Sequence, residues 1–337
     1  MSTKFTVLGD GAWGTAIAIL LAENPEHEVM LWSAREESGR ALSQQRENRR
    51  LLPGILIPET VTLTWNIGEA SEGATTYVAA IPTVYLRPTL ERIRTALSPG
   101  TPFISLAKGL EVQTFLRPTQ IITQVLGCDN VAVLSGPSHA EEVSRGLPAT
   151  LVAASSDLDL SRWIQEHFAT ARFRVYTNQD VIGVELAGAL KNIIGIAAGI
   201  SDGLGLGDNA KSALLTRGLV EMARFGVALG AEHQTFYGLA GVGDLVTTCI
   251  SRHGRNRHVG ERLARGEKLA EILASMSMVA EGVYTTRSVH DKAERMGVVM
   301  PITAEIYRVL YEDKDPRQAV NDLMLRELRS EAVHEIG

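Results

Sequence analysis

Lys191 and Asn192 interrupt a stretch of sequence, 184–199, that otherwise consists almost entirely of apolar and small residues. A helix of this composition is expected to be buried, and a buried ammonium must be paired or have a lowered pKa. Such an ammonium can donate a proton to a carbonyl oxygen while a hydride is added to the carbon. Glu185 and Asn192 are the candidate partners for it. The alternative is a lysine at a helix edge whose ammonium reaches water.

A second polar group follows a glycine-rich segment, where Asp244 precedes Thr248. A flexible loop could present Asp244 to a hydroxylated substrate or to the lysine, although aspartate before an apolar run more often caps a helix. The cationic segment 252–258 then places Arg255 and Asn256 at a predicted helix start. Arginine beside free helix N–H groups is typical of phosphate binding, and the alternative is a solvated basic turn.

A glycine fingerprint connects the apolar run 5–8 to a helical segment. Its glycines are Gly9, Gly11 and Gly14, in the spacing G-x-G-x-x-G. Strand, fingerprint and helix in this order predict a dinucleotide site, in which the glycines allow a tight turn, close approach of the pyrophosphate, and close packing of helix on strand. The alternative is a glycine-rich turn in an α/β domain that binds no nucleotide.

The cofactor is predicted to be NAD(H) or NADP(H). The acid that would bind a ribose 2′-hydroxyl about 20 residues after the fingerprint is missing. Ser33 stands at 33 − 14 = 19 positions after Gly14, and Arg35 follows. A small polar residue and an arginine suit a 2′-phosphate, so NADPH is expected to be accepted and is a candidate for the preferred form. The alternative for Arg35 is a solvated loop arginine next to Glu36 and Glu37.

The elements that must position these residues fall into two halves. Short apolar runs alternate with helical segments in the first half and predict parallel βαβ units, with strands at 5–8, 28–32, 77–81, 103–106, 131–134, 150–153 and 173–176. Helical spacing dominates the rest, with helices predicted at 182–198, 209–229, 257–265, 268–276, 285–296, 302–311 and 319–329. We therefore predict a Rossmann-like dinucleotide-binding domain, 1–180, packed against an all-α domain, 181–337.

Two further polar segments follow predicted strands. Lys108 lies in SLAKGL after the fourth strand, and SGPSHA follows the fifth. Ligands of open α/β sheets bind at the carboxyl ends of the strands, so Lys108 is placed to meet cofactor or substrate.

Composition limits the classes of function. The 337 residues carry 33 Lys and Arg against 39 Asp and Glu, a net charge of −6 that disfavours nucleic acid as a partner. Cys128 and Cys249 are the two cysteines of the chain, too few for a disulfide framework. No signal peptide and no membrane span are predicted, so a cytoplasmic enzyme is expected. Neither the histidines His253 and His258 nor the cysteines have metal-ligand spacing, so no metal is expected.

Taken together in one order, the segments GDGAWGTA, SLAKGL, SGPSHAEE, ELAGALKNIIGIAAGISDGLGLGDNAKSAL, GLAGVGDLVTTC, GRNR and VAEGVYTT resemble the NAD(P)-dependent sn-glycerol-3-phosphate dehydrogenases of the bacterial type. The resemblance covers residues 5 to about 312. It implies a helical second domain of the 6-phosphogluconate-dehydrogenase-like class, and reversible reduction of dihydroxyacetone phosphate to sn-glycerol 3-phosphate for phospholipid synthesis.

The resemblance also implies roles for single residues. Lys191 matches the general acid/base, and Asp244 orients it or a substrate hydroxyl. The positions that match substrate contacts are Lys108, Gly136, Ser138, Asp244, Arg255 and Asn256, with Asn192 and Thr248 as auxiliaries. Those that match cofactor contacts, besides the fingerprint glycines, are Ala12, Trp13, Lys108, Ala140, Arg255, Val279 and Glu281.

Two positions depart from the family pattern. Gly254 stands where many relatives have serine, so the backbone N–H would have to serve the phosphate there. Ala34 stands where relatives often have a basic residue or histidine, with Arg35 one place later, which leaves the choice between NADH and NADPH open.

Two alternatives in function remain at this point. One is a related dehydrogenase whose substrate carries a carboxylate, such as a β-hydroxyacid or sugar acid. The other is a nicotinamide-sensing protein without catalysis, for which a buried proton donor would have no use. A homodimer is expected because a helical second domain offers several apolar faces.

Overall fold

The fold was analysed in a computed structural model, which describes residues 3–251, 253–276, 278–328 and 330–331. Eight strands form one sheet. They are β1 Thr3–Leu8, β2 His27–Trp32, β3 Val61–Thr64, β4 Thr76–Ala79, β5 Phe103–Ser105, β6 Val131–Ser135, β7 Ala149–Ala154 and β8 Phe173–Asn178. Their order across the sheet is β3-β2-β1-β4-β5-β6-β7-β8. The order reverses between β1 and β4, and in open α/β sheets the crevice at such a switch point receives the ligand.

Two features of the sheet differ from the sequence prediction. β3 was not predicted, because its four residues alternate in polarity and include exposed Thr62. The prediction of parallel strands throughout was wrong, since β7 runs antiparallel to β6 and β8 runs parallel to β7. The connection from β6 to β7 contains a helix of only four residues, Ala140–Val143, whereas a parallel return normally needs a full crossover helix.

Helices cover both faces of the sheet. They are α1 Ala12–Leu21, α2 Glu36–Gln45, α3 Ile67–Ser71, α4 Thr83–Ile93, α5 Pro118–Leu126, α6 Ala140–Val143 and α7 Leu158–Phe168. Buried side chains of α1, α2 and α7 pack on one face and those of α3, α4 and α5 on the other. The inner strands are largely apolar because both of their faces are buried, whereas the edge strands β3 and β8 each carry exposed residues.

The second half is helical throughout its described residues. Its helices are α8 Val181–Gly203, α9 Gly207–Ala228, α10 Asp244–Ile250, α11 Arg255–Ala264, α12 Leu269–Ser275, α13 Glu281–Met296, α14 Pro301–Tyr311 and α15 Pro316–Met324. A 3₁₀ turn, His233–Tyr237, and a π turn, Leu239–Gly243, lead into α10. The predicted fold class, a Rossmann-like sheet domain followed by an all-α part, is confirmed. The last helix ends at Met324, so its predicted extension to Arg329 was wrong, although Arg329 itself lies outside the described residues.

The long helix α8 is the central element of this half. A Cβ atom at Gly199 would lie 1.9 Å from the backbone oxygen of Arg257, and one at Gly195 would lie 2.8 Å from Cγ2 of Thr248. These glycines let α10 and α11 approach the backbone of α8 directly. The row of small residues therefore sets the distance between α8 and the polar residues of those two helices.

The core of the second half continues into the sheet. Val133 of β6 and Val152 of β7 belong to the same buried cluster as the apolar residues of α8. By length and composition α8 could cross a membrane, but 89% of that apolar window is buried inside the protein, as in the core helix of a globular domain.

Glu221 on α9 stabilises the start of α14 from within this core. Its carboxyl oxygens accept from the backbone N–H groups of Ile302, at 2.6 Å, and Thr303, at 3.2 Å. Burial raises the pKa of Glu221 to about 7, although the two N–H donors favour the charged form and act in the opposite direction.

The role of Glu221 can be tested by two substitutions. We expect Glu221→Ala to lower the free energy of unfolding by about 2–3 kcal/mol, because two buried amides lose their acceptor, and Glu221→Gln to lower it by less than half as much. Urea unfolding measures both, and equal losses would contradict the hydrogen-bonding role.

Candidate active site

A buried lysine and a buried aspartate from different helices form an ion pair at the centre of the second half. Lys191 Nζ on α8 lies 2.7 Å from Oδ1 of Asp244, the first residue of α10, and donates to Oγ1 of Thr248 at 2.6 Å. Lys191 is 7% exposed and Asp244 2% exposed. The ammonium is thus fixed at two points and is shielded from bulk water.

A second lysine reaches the same carboxylate from the sheet. Lys108, in the loop after β5, donates from Nζ to Oδ2 of Asp244 at 2.9 Å. The same nitrogen donates to the backbone oxygen of Gly136, at 2.8 Å, and to Oγ of Ser138, at 3.0 Å. The loops after β5 and β6 therefore meet the helical half at Asp244, which bridges two ammonium groups.

The charges of this cluster are linked. Burial lowers the pKa of Lys191 to about 8, with a smaller contribution from the Lys108 ammonium, while the Asp244 carboxylate acts in the opposite direction. Burial also favours the neutral form of Asp244, but the two ammonium groups outweigh it and hold the pKa of that carboxyl below its usual value. Near neutral pH the cluster holds a carboxylate and a lysine that can release a proton within a few pH units of neutrality.

Of the three residues that the sequence offered as partners for Lys191, Asp244 is bonded to it, whereas Glu185 and Asn192 are not. Glu185 instead accepts from Arg117 Nη1 at 2.5 Å and from the backbone N–H of Thr119 at 2.8 Å, so the expectation for Glu185 was wrong. Asn192 donates to the backbone oxygen of Lys108 at 2.8 Å. The distance along the chain from Lys191 to Asp244 is why the sequence could not decide between the partners.

Asn192 belongs to a chain of amide hydrogen bonds. Its Oδ1 accepts from Nδ2 of Asn256 at 2.9 Å, and Oδ1 of Asn256 accepts from the backbone N–H of Gly282 at 3.0 Å. Both asparagines are buried, at 6% and 8% exposure. Nδ2 of Asn192 also donates to the backbone oxygen of Gly188, at 3.3 Å. The chain joins α8, α11 and α13 beside the lysine pair.

The start of α11 is basic and has no side-chain cap. Arg255 is exposed, with Nη1 bonded to the backbone oxygen of Val279 at 2.9 Å, and the preceding Gly254 is buried. A Cβ atom at Gly254 would lie 3.0 Å from the backbone oxygen of Thr248, so a side chain at this position would need a small shift of its neighbours. Arg252, also part of the predicted cationic segment, lies outside the described residues.

The fingerprint forms the turn between β1 and α1 at the switch point. Gly9 has a φ of +116°, which favours glycine, and a Cβ at Gly14 would lie 2.0 Å from the backbone oxygen of Gly9. Gly11 has open space where a Cβ would stand, and the start of α1 has no side-chain cap and no acid in its first turn. A helix start of this kind can bind a pyrophosphate.

The predicted cofactor residues of the two halves lie near this turn. Ala12 and Ala140 share a small buried cluster, against which Trp13 and Met278 pack, and Val279 follows Met278. Trp13 Nε1 is buried without a hydrogen-bond partner among the described atoms. Such an orphaned donor beside an open helix start is consistent with a site that a dinucleotide completes.

Glu281, at the start of α13, connects the halves at the opposite side of the switch point. Its Oε1 accepts from both the backbone N–H and Oγ1 of Thr83, at 2.9 and 3.0 Å. Thr83 opens α4, directly after β4. The sequence did not suggest this contact, which joins residues 198 positions apart.

Ser33, Ala34 and Arg35 follow β2 at the same edge of the sheet. Ser33 is buried, whereas Ala34 and Arg35 are exposed. The backbone N–H of Gly9 donates to the backbone oxygen of Trp32 at 3.0 Å, so this segment lies directly beside the fingerprint turn.

His139 is a polar residue near the site to which sequence reasoning gave no role. Its Nε2 is buried without a partner among the described atoms, and its ring centre lies 5.8 Å from that of His253. Burial and the nearby ammonium groups of Lys191 and Lys108 lower its pKa. Its place in SGPSHA, directly after a strand, is the signal that could have marked it. No group of three or more His, Cys, Asp or Glu that could hold a metal occurs among the described residues.

A glycine fingerprint at the switch point of a sheet, with a buried lysine on the central helix of an all-α second half, defines a two-domain dehydrogenase that uses a nicotinamide dinucleotide. Comparison with known families specifies it further. The model of the N-terminal part of NAD-dependent glycerol-3-phosphate dehydrogenase matches residues 4–161, and that of the C-terminal part matches residues 180–321. The chain belongs to this family, and the resemblance found in the sequence is confirmed.

Individual relatives agree over nearly the whole chain. A protein of Chlorobium phaeobacteroides (strain BS1) named glycerol-3-phosphate dehydrogenase [NAD(P)+] is 50% identical over 331 residues, covering 97% of this chain and 99% of the relative. A protein of the same name from Geobacillus thermodenitrificans is 49% identical, and the match covers 97% of this chain and 96% of the relative. The crystal structure of glycerol-3-phosphate dehydrogenase from Coxiella burnetii is 38% identical, with a TM-score of 0.92 over 96% of this chain and 99% of that one.

Proposed function

We propose that the protein catalyses the reversible reduction of dihydroxyacetone phosphate to sn-glycerol 3-phosphate with NADH or NADPH. The observation that carries this proposal is the Lys191 ammonium, buried, bonded to Asp244 and Thr248, and adjacent to a basic helix start that can bind a phosphate. A carboxylate substrate or a sensor without catalysis is less consistent with this arrangement and with the family.

In the proposed division of the chain, residues 1–180 bind the cofactor and residues 181–337 hold the substrate and supply the acid. The cofactor, when bound, supplies a hydride to C2 of the ketone. Lys191 donates a proton from Nζ to the carbonyl oxygen at C2, and takes one from the hydroxyl in the reverse direction. Asp244 holds Lys191 and Lys108 in position, and Thr248 fixes the direction of the ammonium.

The remaining predicted residues bind parts of the two ligands that do not react. Arg255 and the N–H groups at the start of α11, with Gly254 contributing through its backbone, bind the phosphate. Binding energy at the phosphate then positions the reacting carbon. Lys108, Gly136, Ser138, Asn192 and Asn256 contact the substrate. The cofactor lies along Gly9, Gly11, Ala12, Trp13, Gly14, Arg35, Ala140, Val279 and Glu281, and meets Lys108 and Arg255.

The first experiment is to follow absorbance at the reduced-nicotinamide band. NADH and NADPH are compared with dihydroxyacetone phosphate as substrate and unphosphorylated dihydroxyacetone as the control. Oxidation that requires the phosphate supports the proposal. If no oxidation occurs in folded protein that binds a nicotinamide nucleotide, the proposal fails and carboxylate substrates come next.

The pH dependence should differ in sign between the two directions. Reduction needs the protonated lysine, so kcat/KM for the ketone, which reports the free enzyme, is expected to be constant below the Lys191 pKa of about 8 and to fall tenfold per pH unit above it. Oxidation of glycerol 3-phosphate needs the neutral amine, so its kcat/KM should rise up to about pH 8 and then level off. Steady-state profiles in both directions measure this. Profiles that bend in the same direction would contradict the acid role.

We also propose that the protein is a cytoplasmic homodimer that serves phospholipid synthesis. Cys128 and Cys249 are free and buried, as in a reducing cytoplasm. Exposed Ile250 and Val299 in the helical half support a homodimer, which analytical ultracentrifugation can test. The product would supply the glycerol backbone of membrane phospholipids.

A further inference from the structure

The carboxyl end of β2 is contacted by an arginine from a helix on the other side of the switch point. Arg92 lies near the end of α4, and its Nη2 donates to the backbone oxygen of Ala34 at 3.3 Å. Its guanidinium carbon lies 5.9 Å from the ring centre of Trp32, which is 2% exposed. The two contacts hold the charge of Arg92 at the strand end although the side chain is exposed.

This strand end adjoins the fingerprint. The Gly9 N–H bonds to the Trp32 carbonyl oxygen, and Ser38 of α2 donates from Oγ to Oδ2 of Asp10 at 2.5 Å. In sheets that bind a dinucleotide at the switch point, the 2′ position of the adenosine ribose faces the residues after the second strand. Arg92 is therefore placed where a group on that position would arrive.

The local charges leave two arginines available for an anion. Glu36 is paired with Arg40, whose Nε and Nη2 donate to Oε1 at 2.9 and 2.6 Å, whereas Asp10 accepts from the neutral Ser38 hydroxyl and keeps its negative charge. The side chain of Arg35 has no hydrogen bond or ion pair within the part of the chain that the structure describes. Arg92 uses one of its five N–H donors on Ala34. Against these two cations stand the exposed carboxylate of Glu37 and the partly buried carboxylate of Asp10.

We propose that Arg92, acting with Arg35 and the Ser33 hydroxyl, forms a subsite for a 2′-phosphate and makes NADP(H) the preferred cofactor. This inference rests on the proposed function, since it presupposes a nicotinamide dinucleotide at the fingerprint. A phosphate monoester takes charge-assisted hydrogen bonds from guanidinium groups, whereas the 2′-hydroxyl of NAD(H) gains little from them. Arg92 is the specificity-determining residue because it is already anchored, while Arg35 has to be ordered by the ligand.

The test is equilibrium binding to the full chain, measured by titration calorimetry with NADP⁺, NAD⁺ and the fragment 2′,5′-ADP. Arg92→Gln is expected to raise the Kd of NADP⁺ and of 2′,5′-ADP roughly tenfold and to leave the Kd of NAD⁺ within about twofold. Arg94→Gln is the matched control: it removes the same charge from an exposed arginine two positions further on, which makes no contact with the strand end. Higher salt should reduce the preference of the unaltered protein for NADP⁺, because the cations are exposed.

Equal weakening of NAD⁺ and NADP⁺ by Arg92→Gln would show that Arg92 only supports the strand end, and it would overturn the inference. An unchanged Kd for NADP⁺ would overturn it as well. In both cases the proposed function would be unaffected, because it is tested by turnover of dihydroxyacetone phosphate by the unaltered protein. Loss of binding of both nucleotides in the unaltered protein would instead reject the dinucleotide site itself, and the proposed function with it.

Discussion

Replacing Lys191 by methionine is expected to lower kcat for ketone reduction by roughly 10³–10⁴-fold, because the proton donor and its charge are both removed. Methionine has nearly the length of lysine and fits a buried, apolar helix face. The Kd of the reduced cofactor should change by less than about twofold, since the ammonium contacts Asp244 and Thr248 rather than the fingerprint turn. Single-turnover absorbance measures the rate, and fluorescence titration with NADPH measures cofactor binding.

The control for this variant is Thr248→Val, which removes a neutral hydrogen-bond partner from the same ammonium. It should lower kcat by about tenfold or less, which corresponds to one ordinary hydrogen bond. Both variants need to show the circular dichroism spectrum of the unaltered protein. A Lys191→Met protein that retained more than a tenth of the original kcat would remove Lys191 from the role of acid.

Replacing Asp244 by asparagine is expected to lower kcat for reduction by roughly 10²–10³-fold at pH 7.5, and by less at lower pH. The carboxylate accepts from Lys191 and Lys108 through separate oxygens, at 2.7 and 2.9 Å. An amide offers one acceptor and no charge, so the two ammonium groups face each other without a counter-charge. The pKa of Lys191 should then fall below about 8, and the limb of the pH profile should move to lower pH.

This shift separates a catalytic role of Asp244 from a structural one. Loss of packing or stability alone would lower activity equally at all pH values and in both directions. Loss of the counter-charge lowers reduction at high pH, and at low pH it favours oxidation of glycerol 3-phosphate. The pH profile of reduction by Asp244→Asn is therefore compared with that of Thr248→Val. If activity falls at the same pH in both variants, the proposed role of the carboxylate is rejected.

The sequence predicted the fold class because hydrophobic periodicity records which faces of each element are buried. Periodicity does not indicate in which direction a strand runs or which strand it pairs with. β7 is as apolar as β6, so its antiparallel course could not be read from its residues. The π turn before α10 was missed because its LAGVG sequence offers little more than small apolar residues.

The residues of the candidate site were predictable from the sequence, which offered the pairing of Asp244 with Lys191 as one alternative, but most of the other contacts were not. Lys191 was notable because a charge in an apolar helix is costly, and the glycine fingerprint has a known spacing. The bond between Lys191 and Asp244 spans 53 positions, and the bond between Thr83 and Glu281 spans 198. The first contact depends on how the helices of the second half pack, and the other on how the two halves meet, and no local pattern specifies either. The assignment of Glu185 to Lys191 failed for this reason, since the nearer candidate in sequence is bonded elsewhere.

The burial of α8 should determine how fast its backbone amide protons exchange with solvent. Its residues from Gly183 to Ser201 are buried, and Gly199 allows its backbone to pack directly against that of α11. Amide protons in such a helix exchange with solvent only when the whole domain opens, whereas those of surface loops exchange through small local openings. Deuterium uptake should accordingly be slowest around Lys191 and faster around Lys108 and Gly254, which lie in loops. The proton donor would then stand on the least mobile part of the molecule, while the segments that contact the ligands from the loops remain free to adjust.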